Sequence, residues 1–234
     1  MNLRVLCVGD SLGLPREGCR YENTWIYMLK QANPQDDYIN SFIRLLTSKD
    51  LQKGKGIKGD FSNYYNPDVV ILQLGVCDCA PRYYNSKSTV WKIIEKTGVM
   101  LLSEKLYWKL IKILRKRSAN SQFVSIDKFT KYINNYIECL VNDIKVKGIV
   151  IIQIATPSKR IQEASPEFLE QIEKYNLVYN QISSRYPNVV TVISPLKTGD
   201  DQLYVDGYHT NKNGSEAVFS DVNKQLELIR NRLS

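Results

Sequence analysis

Two short runs of almost wholly apolar residues constrain the fold most. They are Asp68–Leu74, "DVVILQL", and Ile149–Ala155, "IVIIQIA". Both are rich in β-branched residues and too short for a buried helix, so each predicts a strand that is covered on both faces. Strands of this kind occur in parallel sheets with helices packed on either side. The sequence therefore predicts an α/β fold.

The rest of the chain alternates between shorter strand patterns and helical patterns, as expected for a parallel sheet. The predicted strands are Leu3–Val8, Tyr38–Ile43, Asp68–Leu74, Ile149–Ala155 and Val189–Ile193. The predicted helices are Tyr21–Ala32, Asp127–Lys147, Pro166–Tyr186 and Asn213–Arg232. We expect Gly148 to end the helix before it. At 234 residues the chain suits a single domain, 1–234. In such domains functional residues lie outside the carboxyl ends of the strands.

One long helical pattern, residues 86–121, does not fit the alternation and predicts an inserted helical segment. Residues 105–117, "KLYWKLIKILRKR", carry no acidic side chain, and the whole chain has a net charge of +8. In one interpretation an apolar stripe packs on the domain and the lysines are solvated. In the other, the segment makes a peripheral contact with an anionic membrane or a lipid-linked glycan. Nucleic acid is disfavoured, because no DNA- or RNA-reading motif is present.

The cysteine pattern and the amino-terminal sequence bear on localisation. The five cysteines form an odd set without repeated paired spacing, which favours a reducing compartment. The first apolar stretch is too short for a signal peptide and runs directly into a turn. We therefore expect a cytoplasmic protein.

A serine and the single histidine of the chain stand at positions suited to nucleophilic catalysis. Ser11 lies in "GDSL", in the loop after the first predicted strand, and His209 lies in "DGYH", in the loop before the last helix. A serine hydroxyl needs a neighbouring base to become nucleophilic, and imidazole accepts and returns a proton near neutral pH. Asp206, three residues before His209, is suited to hold the ring in one tautomer.

Three motifs then appear in order: "GDSL" at Gly9–Leu12, "GVCD" at Gly75–Asp78 and "DGYH" at Asp206–His209. Together they resemble those of the SGNH, or GDSL, hydrolase family. The resemblance implies a flavodoxin-like three-layer sandwich with a five-stranded parallel sheet. It also implies an acyl-serine intermediate, with Ser11 as nucleophile, His209 as base and Asp206 as its orienting partner. No cofactor and no metal are implied.

The same resemblance assigns an oxyanion hole, and there the sequence departs from the family pattern. The expected donors are the backbone N–H of Ser11, the N–H at Leu45, where the family has glycine, and the side chain at Cys77, where it has asparagine. A thiol is a weak donor. Three explanations stay open: two backbone donors suffice, another polar group replaces the amide, or hydrolytic power has been lost. A Cys77–His209 nucleophile pair is a further, less favoured alternative, and metal binding by Cys77 and Cys79 is less favoured still.

Candidate substrate-binding residues are Arg16, Arg82 and Asn40, which are also the polar groups that could replace the missing amide. Each arginine follows a motif as Pro-Arg, and a guanidinium suits carboxylate or phosphate groups. The expected function is a serine esterase that removes a small acyl group, such as acetyl, from an acidic or neutral carbohydrate. The alternatives are a carbohydrate O-acyltransferase with the same triad and a non-catalytic glycan- or lipid-binding protein on this scaffold.

Overall fold

A computed structural model of the protein describes residues 2–52, 64–80 and 122–233. Five parallel strands form one sheet in the order β2-β1-β3-β4-β5. The strands are β1 Arg4–Gly9, β2 Asp37–Phe42, β3 Val69–Gln73, β4 Gly148–Ile152 and β5 Val190–Ile193. The helices of the described residues are α1 Trp25–Ala32, α2 Val76–Cys79, α3 Ile126–Glu138, α4 Lys159–Ala164, α5 Pro166–Arg185 and α6 Lys212–Leu233. This strand order is that of flavodoxin-like folds, so the predicted fold class is confirmed.

The two strands that most constrained the prediction lie at the middle of the sheet. Every residue of β3 and β4 is buried, and the register between them pairs Val70 with Ile149. β1 continues the sheet on the other side of β3, where Val5 pairs with Val69. Strands with apolar side chains on both faces need a helical layer on each face, because either face left bare would expose apolar surface to water.

Helices cover both faces. On one face, α1 and α6 pack on alternate strand residues; the cluster includes Trp25, Leu29, Val218, Val222, Val5, Ile71 and Val150. The intervening strand residues point to the opposite face. There, α3 and α5 meet through Phe129, whose ring lies 4.7 Å from that of Tyr175 and 5.6 Å from that of Tyr179.

The prediction for the helix before β4 was wrong at its carboxyl end. α3 ends at Glu138, and a π-helical segment, Cys139–Ile144, leads to Lys145, which adopts a left-handed conformation with φ of 60°. Gly148 does not end a helix; it is the first residue of β4, where a Cβ atom would lie 2.6 Å from Ile229 of α6. Glycine at this position leaves room for the close packing of α6 on β4 rather than ending a helix.

The predicted insertion, 86–121, and its basic stretch, 105–117, lie outside the described residues and stay predictions. Nearly all described residues belong to one compact unit, Met1–Cys79 with Val124–Ser234. The helices of this described part are all too short or too polar to cross a lipid bilayer.

Candidate active site

Ser11 lies in a tight turn directly after β1. Strand β1 ends at Gly9, and a short 3₁₀ turn, Ser11–Gly13, follows it. The Asp10 side chain caps this turn by accepting a hydrogen bond from the Leu12 N–H at 3.0 Å. At Gly9 a Cβ atom would lie 2.2 Å from the Gln73 carbonyl oxygen, so only glycine lets β1 and β3 approach this closely. The turn therefore holds Ser11 at the carboxyl edge of the sheet.

The Asp206–His209 turn is organised by the aspartate itself. One carboxylate oxygen of Asp206 accepts the backbone N–H of His209 at 3.0 Å, and the other lies 2.7 Å from Nδ1 of the same residue. The backbone closes behind them, since the Val205 N–H donates to the His209 carbonyl at 2.8 Å. The side chain of Asp206 thus fixes both the backbone and the ring of His209.

The two loops meet across the sheet edge. Ser11 Oγ lies 3.0 Å from His209 Nε2, although 198 positions separate the two residues in sequence. With Nδ1 protonated and donating to Asp206, Nε2 is left as the acceptor for the serine hydroxyl. The three side chains proposed from sequence therefore form one continuous hydrogen-bonded chain.

The surroundings keep the imidazole neutral and the carboxylate charged. Burial lowers the pKa of His209 below its ordinary value; Asp206 opposes this shift, and the positive charges of Arg16 and Arg44 add to it. For Asp206, burial works to raise the pKa, but hydrogen bonds from the backbone and ring of His209 outweigh it, so the pKa is lowered. A neutral imidazole beside an ionised carboxylate is ready to accept a proton.

Arg16 is placed against these residues rather than towards an open surface. Its Nη2 donates to the Ser11 carbonyl oxygen at 2.9 Å, and its Nη1 lies 3.5 Å from Asp206 Oδ2. The side chain is only 21% exposed. These contacts favour a role within the site over the substrate-binding role that the sequence suggested.

The loop after β2 brings Leu45 to the same edge. The Ile43 N–H donates to the Gly9 carbonyl at 3.0 Å, which ties this loop to the end of β1. Leu45 adopts a left-handed backbone conformation with φ of 61°, the conformation for which glycine is suited. Among the described residues, neither its N–H nor that of Ser11 has a hydrogen-bond acceptor. Both amides are therefore candidates to bind a substrate oxygen.

Leu45→Gly is expected to stabilise the protein by about 0.5–1 kcal/mol. A left-handed conformation costs a residue with a Cβ roughly 1–2 kcal/mol, and the greater chain entropy of glycine in the unfolded state offsets part of the gain. The Leu45 side chain is 67% exposed, so its removal loses little burial. Urea unfolding measures the change. Leu45→Ala keeps the backbone cost and is the matched control; equal stability of the two variants would contradict the explanation.

The positions of the other predicted site residues bear less directly on the triad. Cys77 is buried in α2, just after the end of β3. Asn40 lies within β2 and is exposed, and its Oδ1 accepts the Phe42 N–H at 3.2 Å, within its own strand rather than at the triad. Arg82 lies outside the described residues. No group of three His, Cys, Asp or Glu residues within the described ranges is arranged to hold a metal ion.

Comparison with known proteins identifies the family. The family model for GDSL-like lipases/acylhydrolases matches residues 5–222. The chain belongs to this family. This GDSL protein is accordingly a hydrolase that acts on ester bonds. No curated protein matches it in sequence.

Solved structures share the fold of this GDSL hydrolase at low sequence identity. A lipase/acylhydrolase from Enterococcus faecalis has a TM-score of 0.63 at 13% identity, covering 97% of this chain and 95% of that one. A GDSL-like lipase from Bacteroides thetaiotaomicron has a TM-score of 0.59 at 13% identity, with coverages of 96% and 87%. A catalytic mutant of an acetylxylan esterase from Geobacillus stearothermophilus has a TM-score of 0.58 at 16% identity, with coverages of 93% and 91%.

Sequence reasoning missed several contacts that support the GDSL site. Asp78 accepts hydrogen bonds from both the backbone N–H and the hydroxyl of Ser48, at 3.0 and 2.6 Å, which joins the "GVCD" motif to the loop after β2. Exposed Arg44 is close enough for its charge to act on His209. Ser48 and Arg44 belong to no recognised motif, and the pairing of Asp78 with Ser48 could not be inferred from the "GVCD" motif, because these contacts arise only when distant loops meet at the sheet edge.

Proposed function

We propose that this GDSL hydrolase is a serine acylhydrolase with Ser11 as nucleophile, His209 as general base and Asp206 as the residue that orients the histidine. The observation that carries the proposal is the unbroken chain from Ser11 Oγ to His209 Nε2 at 3.0 Å and from His209 Nδ1 to Asp206 Oδ2 at 2.7 Å. The distances lie within the range expected of a nucleophile and its base.

In the first half of the reaction, Ser11 Oγ attacks the ester carbonyl while its proton passes to His209 Nε2. Asp206 stabilises the imidazolium that forms. The N–H groups of Ser11 and Leu45 stabilise the oxyanion of the tetrahedral intermediate. When this intermediate collapses, the alcohol leaves with the proton from His209, and the acyl group stays on Ser11 as an ester. Water, deprotonated by the same histidine, then releases the acid and restores the serine.

The proposed substrate is a carbohydrate that carries a small acyl group such as acetyl. An acetylxylan esterase is among the proteins that share this fold. The ring of Tyr208 lies 4.3 Å from that of His209 and is 37% exposed, which gives the rim of the site an amphipathic aromatic surface. Arg44, also exposed, supplies a positive charge at the same rim for a sugar that bears an acidic group.

Covalent labelling tests the nucleophile. Incubation with a p-nitrophenyl phosphonate is expected to place one phosphonyl group on Ser11, identified by mass spectrometry of the peptides, because only an activated serine displaces nitrophenolate quickly. His209→Ala should slow the labelling strongly. A label on Cys77 or on no single residue would contradict the proposed triad.

Acyl release tests the substrate. Acetate release is measured from acetylated xylo-oligosaccharide and from p-nitrophenyl acetate, each with and without added unacetylated oligosaccharide. Release of free acetate from the sugar supports the hydrolase. Formation of new acetyl-sugar from p-nitrophenyl acetate would instead show an O-acyltransferase, and no release of acetate from either ester would contradict the proposed acyl group.

A further inference from the structure

Arg16 connects two parts of the triad that come from opposite ends of the chain. Its Nη2 donates to the carbonyl oxygen of Ser11 at 2.9 Å, and its Nη1 lies 3.5 Å from Asp206 Oδ2. That oxygen is the one that also accepts the Nδ1–H of His209. We propose that Arg16 is a positioning residue that holds the nucleophile turn and the Asp206–His209 turn at the separation that proton transfer requires. The inference rests on the proposed serine mechanism.

The chemistry of the guanidinium suits this role. Its nitrogens are fixed in one plane, so two contacts made through different nitrogens fix the separation and the angle of the groups they touch. A lysine ammonium on a flexible stem could make one of these contacts but would impose no such geometry. The distance of 3.0 Å between Ser11 Oγ and His209 Nε2 depends on both turns staying in place.

The local backbone aims Arg16 at the triad. Its N–H and carbonyl exchange hydrogen bonds with the carbonyl and N–H of Cys19, at 2.9 and 3.0 Å, which closes a tight turn. Within this turn Gly18 has φ of 80°, and a Cβ atom there would lie 2.8 Å from Val205 Cγ1. Val205 directly precedes Asp206. The turn that carries Arg16 therefore packs against the loop that carries the histidine, independently of the guanidinium contacts.

The charge of Arg16 acts in the same direction as its geometry. A cation at this place favours the ionised carboxylate of Asp206 and disfavours protonation of His209, whose pKa it helps to lower. Removing the charge should therefore raise the pKa of His209. Since the base must be neutral to act, the acidic limb of the pH profile of kcat/KM should then move to higher pH. A residue that only stabilised the fold would leave this limb in place.

The test compares Arg16→Gln, Arg16→Lys and Arg20→Gln on p-nitrophenyl acetate. Arg20 is exposed, lies four positions away and makes no side-chain hydrogen bond or ion pair within the described part of the chain, so it controls for the lost charge. Arg16→Gln is expected to lower kcat about 10- to 100-fold with KM within about twofold, because small misplacements of reacting groups cost rates of this order. Its acidic limb should shift to higher pH. Arg16→Lys should lose roughly 3- to 10-fold in kcat and keep its limb closer to that of the wild type. Arg20→Gln should match the wild type.

Three results would overturn the proposal. Arg16→Gln and Arg20→Gln could share the same kcat and acidic limb. The effect of Arg16→Gln could be confined to the KM of an anionic ester, p-nitrophenyl hemisuccinate, which would show that Arg16 binds substrate. Arg16→Lys and Arg16→Gln could have the same kcat and the same acidic limb in the pH profile, and both could unfold at a lower temperature than the wild type. That result would show a purely structural role. A wild-type rate no faster than that of Ser11→Ala would remove the serine mechanism itself, whereas a Ser11-dependent rate that Arg16→Gln leaves unchanged would remove only this inference.

Discussion

Ser11→Ala is expected to lower kcat/KM for p-nitrophenyl acetate by about 10³-fold or more. The alanine removes the hydroxyl oxygen that lies 3.0 Å from His209 Nε2, so no acyl-serine can form. Triad members act as a unit, and removal of one leaves only the residual acceleration that comes from binding and oxyanion stabilisation. His209→Gln should fall to a similar level, and the double variant should lose little more.

The control for this prediction removes a hydroxyl elsewhere. Ser184→Ala deletes an exposed serine of α5 whose Oγ donates to the Asn180 carbonyl at 3.0 Å, and its rate should equal that of the wild type. Initial rates over a range of enzyme concentrations separate catalysis from spontaneous hydrolysis. If Ser11→Ala keeps the wild-type rate while Cys77→Ala loses it, the nucleophile is the thiol and the proposed roles are wrong.

The sheet could be predicted because the apolar composition of its central strands is compatible with few other structures. A run such as Val69–Gln73, with every side chain buried, is satisfied only between other strands and under helices on both faces. The edges of elements were less predictable. The apolar spacing continues beyond Glu138, yet the helix passes into a π-helical segment there, because the chain must turn at Lys145 to enter β4. Local spacing does not encode that tertiary requirement.

The candidate site likewise contains some residues whose roles could be proposed from sequence and others whose roles could not. Ser11, Asp206 and His209 could be proposed from sequence because their residue types carry the chemistry and their loops follow predicted strands. Arg16 was proposed to bind substrate because it follows the "GDSL" motif and a guanidinium suits anionic groups, whereas its contact with Asp206, 190 positions away, is visible only in the structure. The left-handed backbone at Leu45 was likewise not visible in residue type, since leucine rarely adopts it. Contacts of this kind can be recognised only once the fold is known.

Asp10→Asn is expected to stabilise the protein at neutral and alkaline pH by up to about 4 kcal/mol. Asp10 is fully buried, and its Oδ2 has no hydrogen-bond partner among the described residues. Burial raises the pKa of Asp10 from 3.8 to about 7; the charge of Asp78 adds to this, while the Leu12 N–H and Arg16 oppose it. At about 1.4 kcal/mol per pH unit, that difference corresponds to about 4 kcal/mol.

The sign of the pH dependence follows from proton uptake on folding. Because the pKa is higher in the folded state, the stability that Asp10 contributes is fully present below about pH 4 and is lost as the pH rises to about 7. Asparagine keeps an acceptor for the Leu12 N–H and carries no charge at any pH. The difference in free energy of unfolding between Asp10→Asn and wild type should therefore grow from pH 4 to pH 7 and then stay level.

Urea unfolding at pH 5, 6, 7 and 8 measures this difference directly. Asp201→Asn is the matched control, because Asp201 is exposed and water solvates its carboxylate in both the folded and the unfolded state. A difference for Asp10→Asn that stayed constant across this range would show that Asp10 does not change protonation on folding. The expected growth would instead show that the residue just before the proposed nucleophile is held at a cost in stability, as is common where a fold keeps polar groups buried for the sake of a site.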